Sequence, residues 1–406
     1  MLNPIHIGYC TNIHPGESWD ETFENLKTHV VAVRDGLRED PVTAAAFCDP
    51  YPIGLRLSAE ACATLRSQPS ALSEFRDWCA EEDMLIYTVN GFPYGQFHNS
   101  SVKERVYLPD WSAQDRLDYT IDLFRVLLDL TPDADHPLTV STVPGSFKRF
   151  IHEDPNPENR LEAIRSNLRT AAATLESLAN ESGRDLILGL EPEPLGLIEN
   201  AEDTVELFDF LTNGLDTKER EQFLRRIGIT LDTCHAAVEY DDVGAMLDLL
   251  LSKGIRIAKI HLSNAIRLNP QEPDALERIA NFAEPTYLHQ VIAANRDGSL
   301  TRYADLPDAL AAGPNGALEW RVHFHIPLYA APQPPLSNTI ATLADTALWL
   351  RDNPDLVSHF EMETYTFDVM PESLRPESVT EMLINEHHWC AKAFLAQALD
   401  QADDEV

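Results

Sequence analysis

The chain has 406 residues and a formal net charge of −35, because 66 acidic side chains stand against 31 basic ones. Such a chain is a poor partner for nucleic acids and anionic membrane surfaces, since both attract basic proteins. No apolar run approaches the roughly 18 residues that a membrane-spanning helix needs. With 44% hydrophobic and 24% charged residues, the composition is that of a folded globular protein.

The six cysteines are scattered and include no CxxC pair. This pattern favours reduced thiols over disulfides or a structural zinc site. The N-terminal segment 1–6 lacks the basic and apolar regions of a secretory signal. We therefore expect a cytoplasmic protein.

Short apolar runs alternate with segments of helical spacing, which predicts repeated βα units. The candidate strands are Ile5–Tyr9, Ile53–Leu57, Leu85–Asn90, Leu138–Val143, Leu186–Glu191, Gly228–Asp232, Ile257–Leu262, Trp320–Ile326 and Val357–Glu363. Several of these runs are apolar almost throughout, as expected of strands covered on both faces. The pattern predicts an α/β fold, specifically a (β/α)₈ TIM barrel, for which nine runs are one too many.

Two helices are clear from the spacing of apolar residues. One is expected between Asn159 and Ser182, and another begins at Asp241–Asp242 and ends before Gly254. The stretch 264–335 is longer than an ordinary βα connection, so we expect it to be an insertion after the seventh strand that caps the barrel. We predict a single barrel domain over 1–395 and an acidic C-terminal tail over 396–406.

Polar side chains stand where four of the apolar runs end, and the active site of a parallel barrel lies at those ends. The segments concerned are Leu190–Pro194, Leu231–His235, Lys259–His261 and Phe360–Glu363. Each residue alone could be a helix cap or a hydrogen-bonded core residue. Four units that each place an oxygen or nitrogen donor at the equivalent end favour a metal site. A mixed carboxylate and imidazole shell suits Mn²⁺, Mg²⁺, Co²⁺ or Zn²⁺ without choosing among them.

The segments Asp232–Glu239 and His261–Arg267, followed by Met362–Glu363, resemble the xylose isomerase-like TIM barrels, and ketose 3-epimerases in particular. The resemblance implies a divalent metal held by Glu191, Asp232, His261 and Glu363. It also implies that His235 and Arg267 contact the substrate. A lysine stands in the xylose isomerase pattern where this chain has Glu193, and this difference argues against an aldose isomerase.

Over its full length, including the opening segment Gly8–Glu17, the chain most resembles the EboE type of metabolite-traffic protein in the same superfamily. That type is associated with gene clusters that process or export secondary metabolites, and no settled reaction comes with it. The resemblance therefore implies a fold more specifically than a substrate.

In an epimerase, such a metal would stabilise the enediolate that forms when a proton leaves carbon. Glu191 would remove the proton from one face and Glu363 would return one to the other, while His235 would bind a substrate oxygen. We expect a small polyhydroxylated metabolite as the partner. A non-phosphorylated one is preferred, although Arg267 or the Lys148–Arg149 pair could bind an anion. A homo-oligomer is compatible with the sequence.

Two alternatives remain open. His323 and His325 alternate on a predicted strand and would face the same side, near the place where endonuclease IV-like relatives carry an Asp-x-His metal pair. A two-metal hydrolase, with His98 as a further ligand, is therefore one alternative, and a non-catalytic metabolite carrier is the other. His14, Asn90, His323 and His325 are candidates to bind the substrate, and the loop Gly91–Gly95 is a candidate to close over it.

Overall fold

The computed structural model describes residues 5–48, 50–98, 101–131 and 136–399. Its strands, in chain order, are β1 (His6–Tyr9), β2 (Tyr51–Arg56), β3 (Met84–Asn90), β4 (Leu138–Thr142), β5 (Leu186–Leu190), β6 (Ile227–Asp232), β7 (Ile257–Leu262), β8 (Asn264–Leu268), β9 (Val291–Asn295), β10 (Leu300–Tyr303), β11 (Ala317–Ile326), β12 (Leu336–Asn338) and β13 (His359–Met362).

Eight parallel strands form a nearly closed barrel in the order β1-β13-β7-β6-β5-β4-β3-β2. The two end strands of this order, β1 and β2, come together through a bridge between Cys10 and Gly54. Helices lie between the strands along the chain, as in a (β/α)₈ barrel. The predicted fold class is therefore confirmed.

The α-helices of the described residues span Trp19–Asn25, Val31–Arg38, Pro41–Phe47, Ala59–Ser67, Pro69–Glu81, Gln114–Leu130, Lys148–His152, Pro157–Ser182, Ala201–Thr212, Thr217–Arg226, Thr233–Val238, Val243–Ser252, Ala275–Ile279, Leu306–Ala312, Ala341–Asp352, Val379–Trp389 and Ala396–Leu399. The helix Pro157–Ser182 begins with proline at its first turn and ends at Gly183, whose φ of 71° is the left-handed conformation that glycine adopts readily. None of the described helices is long and apolar enough to cross a bilayer.

The insertion after the seventh barrel strand forms its own sheet. Five strands from residues 264–338 pair in the order β10-β9-β11-β8-β12, and the pairs are antiparallel. A separate apolar cluster that includes Trp320 and Phe324 packs within it. The predicted run Trp320–Ile326 is therefore a strand of the insertion, which explains why nine runs were found for an eight-stranded barrel.

The other predicted elements lie close to the observed ones. Strand β7 has the predicted bounds, and the second predicted helix is observed as Val243–Ser252 with Asp242 as its N-cap. At the C-terminus, Ala396–Leu399 form a short helix rather than part of a tail. The acidic residues Asp403–Glu405 and the segment 1–4 lie outside the described residues, and the single-domain boundary at 395 stays a prediction.

The six cysteines are free and buried. The interior of the barrel contains charged groups as well as apolar ones, because Lys259 and Glu361 are fully buried there and form an ion pair. A Cβ atom on Gly54 would lie 2.3 Å from Glu361 Oε1. Glycine is therefore required at this position of β2 for the Glu361 carboxylate to fit.

Candidate metal centre

Four side chains from neighbouring barrel strands meet at the carboxyl ends of those strands. Each offers a ligand atom, and these atoms lie within 4.8 Å of one another; the residues are Glu191, Asp232, His261 and Glu363. His261 Nδ1 lies 3.0 Å from Glu191 Oε1, 3.2 Å from Glu363 Oε2 and 3.9 Å from Asp232 Oδ2. All four side chains are buried. The four residues that the family resemblance implies as ligands are thus brought together.

Strand order and register explain this convergence. Strands β5, β6, β7 and β13 are consecutive neighbours in the barrel. Asp232 pairs with His261, and His261 pairs with Glu361, so the three residues lie at one level of the parallel sheet. Successive side chains of a strand alternate between its faces, so Glu363 follows Glu361 on the inner side. Glu191 directly follows β5.

Two carboxylate oxygens of this cluster have no hydrogen-bond partner. Glu191 Oε2 and Asp232 Oδ2 are both buried and unpaired, although a buried carboxylate oxygen normally needs a donor or a cation. The cluster therefore fits a divalent cation by its chemistry, with three carboxylates and one imidazole as the donor set. This donor set does not distinguish zinc from magnesium, manganese or cobalt.

Backbone and hydroxyl donors orient Asp232. Its Oδ1 accepts hydrogen bonds from the backbone N–H groups of Cys234 at 2.7 Å and His235 at 3.0 Å, and from Ser263 Oγ at 2.5 Å. Asp232 is also the N-cap of the helix Thr233–Val238. Because Oδ1 is saturated in this way, Oδ2 is left to face the cluster. Burial raises the pKa of Asp232. The opposing effect of three neighbouring histidines is larger and holds this pKa below its ordinary value; they are His235, His325 and His261.

Two asparagine side chains orient Glu363. Asn12 Nδ2 and Asn90 Nδ2 donate to Glu363 Oε1 at 2.8 Å and 3.0 Å. The second oxygen, Oε2, is the one that faces His261. Asn90, expected to bind substrate, thus contacts a carboxylate of the cluster.

His261 is held between carboxylates on both of its ring nitrogens. Its Nε2 lies 3.1 Å from Glu361 Oε2, and Glu361 in turn pairs with Lys259. Burial lowers the pKa of His261, but the charges of Glu191 and Glu363 outweigh this effect and raise the pKa well above its ordinary value. The pKa of Glu361 shifts the other way, to about 2, because Lys259 and His261 outweigh the effect of burial.

A cavity of about 60 Å³ opens beside the cluster. Glu191, Glu193 and Glu363 line it together with aromatic side chains, namely Phe92, Phe97, Tyr107, Tyr287 and Tyr365. Residues of the insertion, including Leu288 and His323, also line it. The insertion therefore contributes to the wall of the cavity, and its role as a cap stays a prediction. Phe92 and Pro93 also line the cavity, so the loop Gly91–Gly95 forms part of its wall.

Two carboxyl groups of the cavity hold their protons unusually tightly. Burial raises the pKa of Glu191 to about 7, against the effect of His261. Burial also raises the pKa of Glu193 well above its ordinary value. Without a cation, Glu191 is therefore near the midpoint of its titration at neutral pH, and burial favours the protonated form of Glu193.

The structure brings His235, His323 and His325 to the same region, and His235 and His323 line the cavity. Arg267 is not brought there. It lies exposed on β8, with its Nε 3.1 Å from Ser337 Oγ and its Nη1 3.8 Å from Glu319. It lies on the outer face of the insertion because alternate residues of a strand face opposite sides.

His14 and His98 also lie apart from the cluster. His14 Nε2 is 2.8 Å from Tyr9 Oη, and its ring stacks on His29. His98 uses both ring nitrogens, at 2.6 Å from Asn12 O and 2.7 Å from Tyr287 Oη. With both nitrogens engaged, His98 has no atom left for a metal.

The basic pair Lys148–Arg149 is already neutralised. Lys148 Nζ lies 2.6 Å from Glu199 and 2.6 Å from Asp203, while Arg149 pairs with Glu104. These ion pairs leave the two residues without a free charge for an anionic substrate.

Sequence reasoning assigned no role to Lys259, Glu361 or Asn12, although all three touch the ligand set or support it. The sequence does contain a pattern that points to Glu361: it precedes Glu363 by two residues, and alternate residues share one face of a strand. Lys259 precedes His261 in the same way. Asn12 belongs to a short 3₁₀ segment after β1, and nothing in its local sequence points to Glu363.

No protein-family model and no curated protein matches the chain. Among solved structures, it is similar to a xylose isomerase-like TIM barrel protein from Mycobacterium smegmatis in complex with magnesium, with 12% identity, a TM-score of 0.48 and coverage of 97% of both chains. It is also similar to a D-psicose 3-epimerase solved with D-fructose, with 11% identity, a TM-score of 0.47 and coverage of 97% of this chain and 99% of that one. The IOLI protein with a bound zinc atom gives 12% identity, a TM-score of 0.47 and coverage of 99% and 100%. At these values the likenesses carry no argument about activity, and the fold rests on the strand order given above.

Proposed function

We propose that the chain is a divalent-metal-dependent isomerase or epimerase that acts on a small polyhydroxylated metabolite through an enediolate. The observation that carries the proposal is the position of Glu191 and Glu363, whose carboxylates approach the same His261 nitrogen at 3.0 Å and 3.2 Å while both line the cavity. Two carboxylates beside one cation site can serve as the base that removes a proton from carbon and the acid that returns one.

A divalent cation at this centre would stabilise the negative charge of an enediolate. The residues of the chain would hold and move the proton. Glu191 suits the role of base, because its carboxylate belongs to the cluster and also lines the cavity in which a substrate would lie. Glu363 is held by two asparagine donors, so its free oxygen has a fixed direction in which to deliver a proton.

The residues that line the cavity favour a substrate without a phosphate group. Among the described residues that line it, Lys103 is the one lysine or arginine, and its Nζ is bound at 2.6 Å to Asp305 and at 3.1 Å to Glu284 O. Aromatic side chains lining the rest of the cavity suit the C–H faces of a ring or of a short chain. The role in secondary-metabolite processing or traffic that the EboE-type resemblance implies stays a prediction.

The experiment is solvent-deuterium exchange into unphosphorylated ketoses, beginning with D-fructose and D-psicose, with the protein loaded with Mn²⁺ or Co²⁺. We expect NMR to show exchange at a carbon next to the carbonyl. Glu191→Gln should abolish the exchange while the bound metal is retained in part. Glu158→Gln, which removes an exposed carboxylate from the helix Pro157–Ser182, is the matched control and should exchange as the unmodified chain does.

The same experiment separates the alternatives. Exchange at an equal rate in Glu191→Gln would remove Glu191 from the mechanism. No exchange with any ketose, together with tight ligand retention, would contradict the proposal and favour a metabolite carrier. Hydrolysis of a phosphate ester without exchange would favour the hydrolase.

A further inference from the structure

Two polar groups of the cavity wall that could donate hydrogen bonds to a ligand are engaged by the protein itself. Lys103 Nζ lies 2.6 Å from Asp305 Oδ2, so its charge is paired. Tyr287 Oη lies 2.7 Å from His98 Nδ1, and His98 Nε2 lies 2.6 Å from Asn12 O. A carbonyl oxygen can only accept a hydrogen bond, so His98 carries its hydrogen on Nε2 and Tyr287 donates to Nδ1. Lys103 and Tyr287 therefore have little to offer an anionic ligand.

Acceptor atoms of the same wall are left without a donor. Asn12 Nδ2 lies 2.8 Å from Glu363 Oε1, and this contact fixes the orientation of the Asn12 amide because a carboxylate oxygen can only accept. Asn12 Oδ1 and Glu193 Oε2 are both buried and have no hydrogen-bond partner, and both residues line the cavity. Since buried acceptors in folded proteins normally have a donor, the wall suits a ligand that brings donors of its own.

Glu193 is the one of these two residues that can carry a charge. Tyr107 Oη accepts a hydrogen bond from Gln290 Nε2 at 3.3 Å, which leaves the Tyr107 hydrogen to donate to the Glu193 carboxyl group. Burial and, after it, the charge of Glu193 raise the pKa of Tyr107 and of Tyr365 well above the ordinary value, so both rings lie near this group. A carboxylate near aromatic rings suits an ammonium group, which is attracted by the negative charge and by the ring faces.

The candidate metal centre keeps a negative charge even with a divalent cation bound. Its ligand set contains three carboxylates and one imidazole, so the negative charges outnumber the two positive charges of the ion. Lys259 and Glu361 next to it neutralise each other. An enediolate would add further negative charge at the same place. The preference of the cavity for a positive group therefore does not depend on the protonation of Glu193.

We infer that the substrate carries a cationic amino group and that Glu193 binds this group in the cavity. The inference rests on the proposed function and narrows its substrate class to amine-bearing polyhydroxylated carbonyl compounds, such as amino sugars. The ammonium group would donate a hydrogen bond to Glu193 Oε2, the atom that has no partner. Its charge would partly neutralise the charge of the enediolate.

A cation beside Glu193 also changes the state of this carboxyl group. In the cavity without a ligand, burial favours its protonated form, whereas an opposite charge within about 4–6 Å favours the ionised form. A neutral sugar can offer hydroxyl donors but no charge, and hydrogen bonds between charged groups are roughly twice as strong as those between neutral groups. We therefore expect an amine to bind about tenfold more tightly than the matched alcohol.

The test compares two matched pairs of ligands by calorimetric titration of the full chain, loaded with Mg²⁺ at pH 7. The pairs are 1-amino-1-deoxy-D-fructose with D-fructose, and D-glucosamine with D-glucose. NaCl at about 0.3 M screens the general attraction of cations to a chain of net charge −35. We expect at least one amine to bind about tenfold more tightly than its neutral counterpart. Glu193→Gln should bring this ratio close to one, whereas the control Glu158→Gln, at an exposed position, should keep it.

Equal affinity within both pairs would overturn the inference. An unchanged ratio in Glu193→Gln would overturn it too, because the amine would then bind elsewhere. If this variant does not fold, a crystal structure of the unmodified chain with the tighter amine takes its place. We expect the amine nitrogen within about 3 Å of a Glu193 oxygen, and a nitrogen bound elsewhere would contradict the site. Binding is measured without turnover, so a lack of deuterium exchange counts against the proposed function alone.

Discussion

Glu361 Oε2 lies 3.1 Å from Nε2 of His261, the ring nitrogen that does not face Glu191. When His261 is neutral, Nε2–H donates to this carboxylate and Nδ1 presents its lone pair to the candidate metal centre. Lys259, fully buried beside it, neutralises Glu361. The pair therefore sets which nitrogen of His261 binds a cation.

The first prediction concerns this pair. Glu361→Gln keeps the shape of the side chain but removes the charge that holds Nε2–H, so we expect metal affinity at the candidate metal centre to fall about 10–100-fold, the usual effect of losing such a partner. Competition with a chromogenic chelator, monitored with Mn²⁺ or Co²⁺, measures the change. Glu158→Gln serves as the control. An affinity equal to that of the unmodified chain would show that Glu361 does not orient His261.

The second prediction concerns pH. Without metal, burial raises the pKa of Glu191 to about 7, and the neighbouring carboxylates raise that of His261 well above its ordinary value. Both groups must lose a proton before they can bind a cation. Affinity should therefore fall as the pH is lowered from 8 to 6, and binding should release protons. Calorimetry in buffers of different ionisation enthalpy counts them, and a count of zero would contradict the proposed ligands.

The third prediction concerns stability. A cation that binds the folded chain alone stabilises it by about 2.7 kcal/mol when its concentration is 100 times the dissociation constant. We expect the midpoint temperature of thermal unfolding to rise on addition of Mn²⁺ by an amount that corresponds to this free energy. In Asp232→Asn the shift should be largely lost, because the unpaired Oδ2 is the carboxylate oxygen directed at the cluster. An equal shift in both proteins would place the stabilising ion elsewhere.

The barrel was predictable from sequence because continuous apolar runs such as that at β5 are typical of strands buried on both faces. The run Trp320–Ile326 alternates apolar residues with Arg321, His323 and His325, and it belongs to the antiparallel sheet of the insertion. Its apolar residues predict a strand, but they do not show which sheet contains it.

The candidate ligands were predictable for a similar reason, since strand ends of a parallel barrel meet on one face. Arg267 could not be placed in this way. It follows the seventh barrel strand in sequence, but it lies on the first strand of the insertion, where side-chain direction depends on a different sheet. The hydrogen bonds of Asn12 and Gln290 depend on chain segments far apart in sequence, so no local pattern predicts them.

The fourth prediction lies away from the cavity, at Glu386. Burial raises its pKa to about 7 against hydrogen bonds from Thr364 and Leu328. A pKa above the ordinary value of 4.5 means that the folded chain binds this proton more tightly than the unfolded chain does. Protonated Glu386 therefore contributes to the free energy of unfolding at low pH, and this contribution is lost as the pH rises from about 4.5 through 7.

Glu386→Gln cannot ionise and should therefore lose less stability over that range. The difference in unfolding free energy between variant and unmodified chain should grow by up to about 3 kcal/mol from pH 5 to pH 8, at about 1.4 kcal/mol per pKa unit. Urea unfolding at several pH values measures it. The control Glu377→Gln, at an exposed position, should show no such growth. If the free energy of unfolding of Glu386→Gln changed with pH in parallel with that of the unmodified chain, the raised pKa of Glu386 would be refuted.

The most direct test of the candidate metal centre is a crystal structure of the chain grown with Mn²⁺, with anomalous data collected on both sides of the manganese absorption edge. We expect an anomalous peak at about 2.0–2.3 Å from donor atoms of Glu191, Asp232, His261 and Glu363. Manganese found only elsewhere in the crystal, with the four side chains in contact with one another as they are without it, would contradict the assignment of these residues as metal ligands.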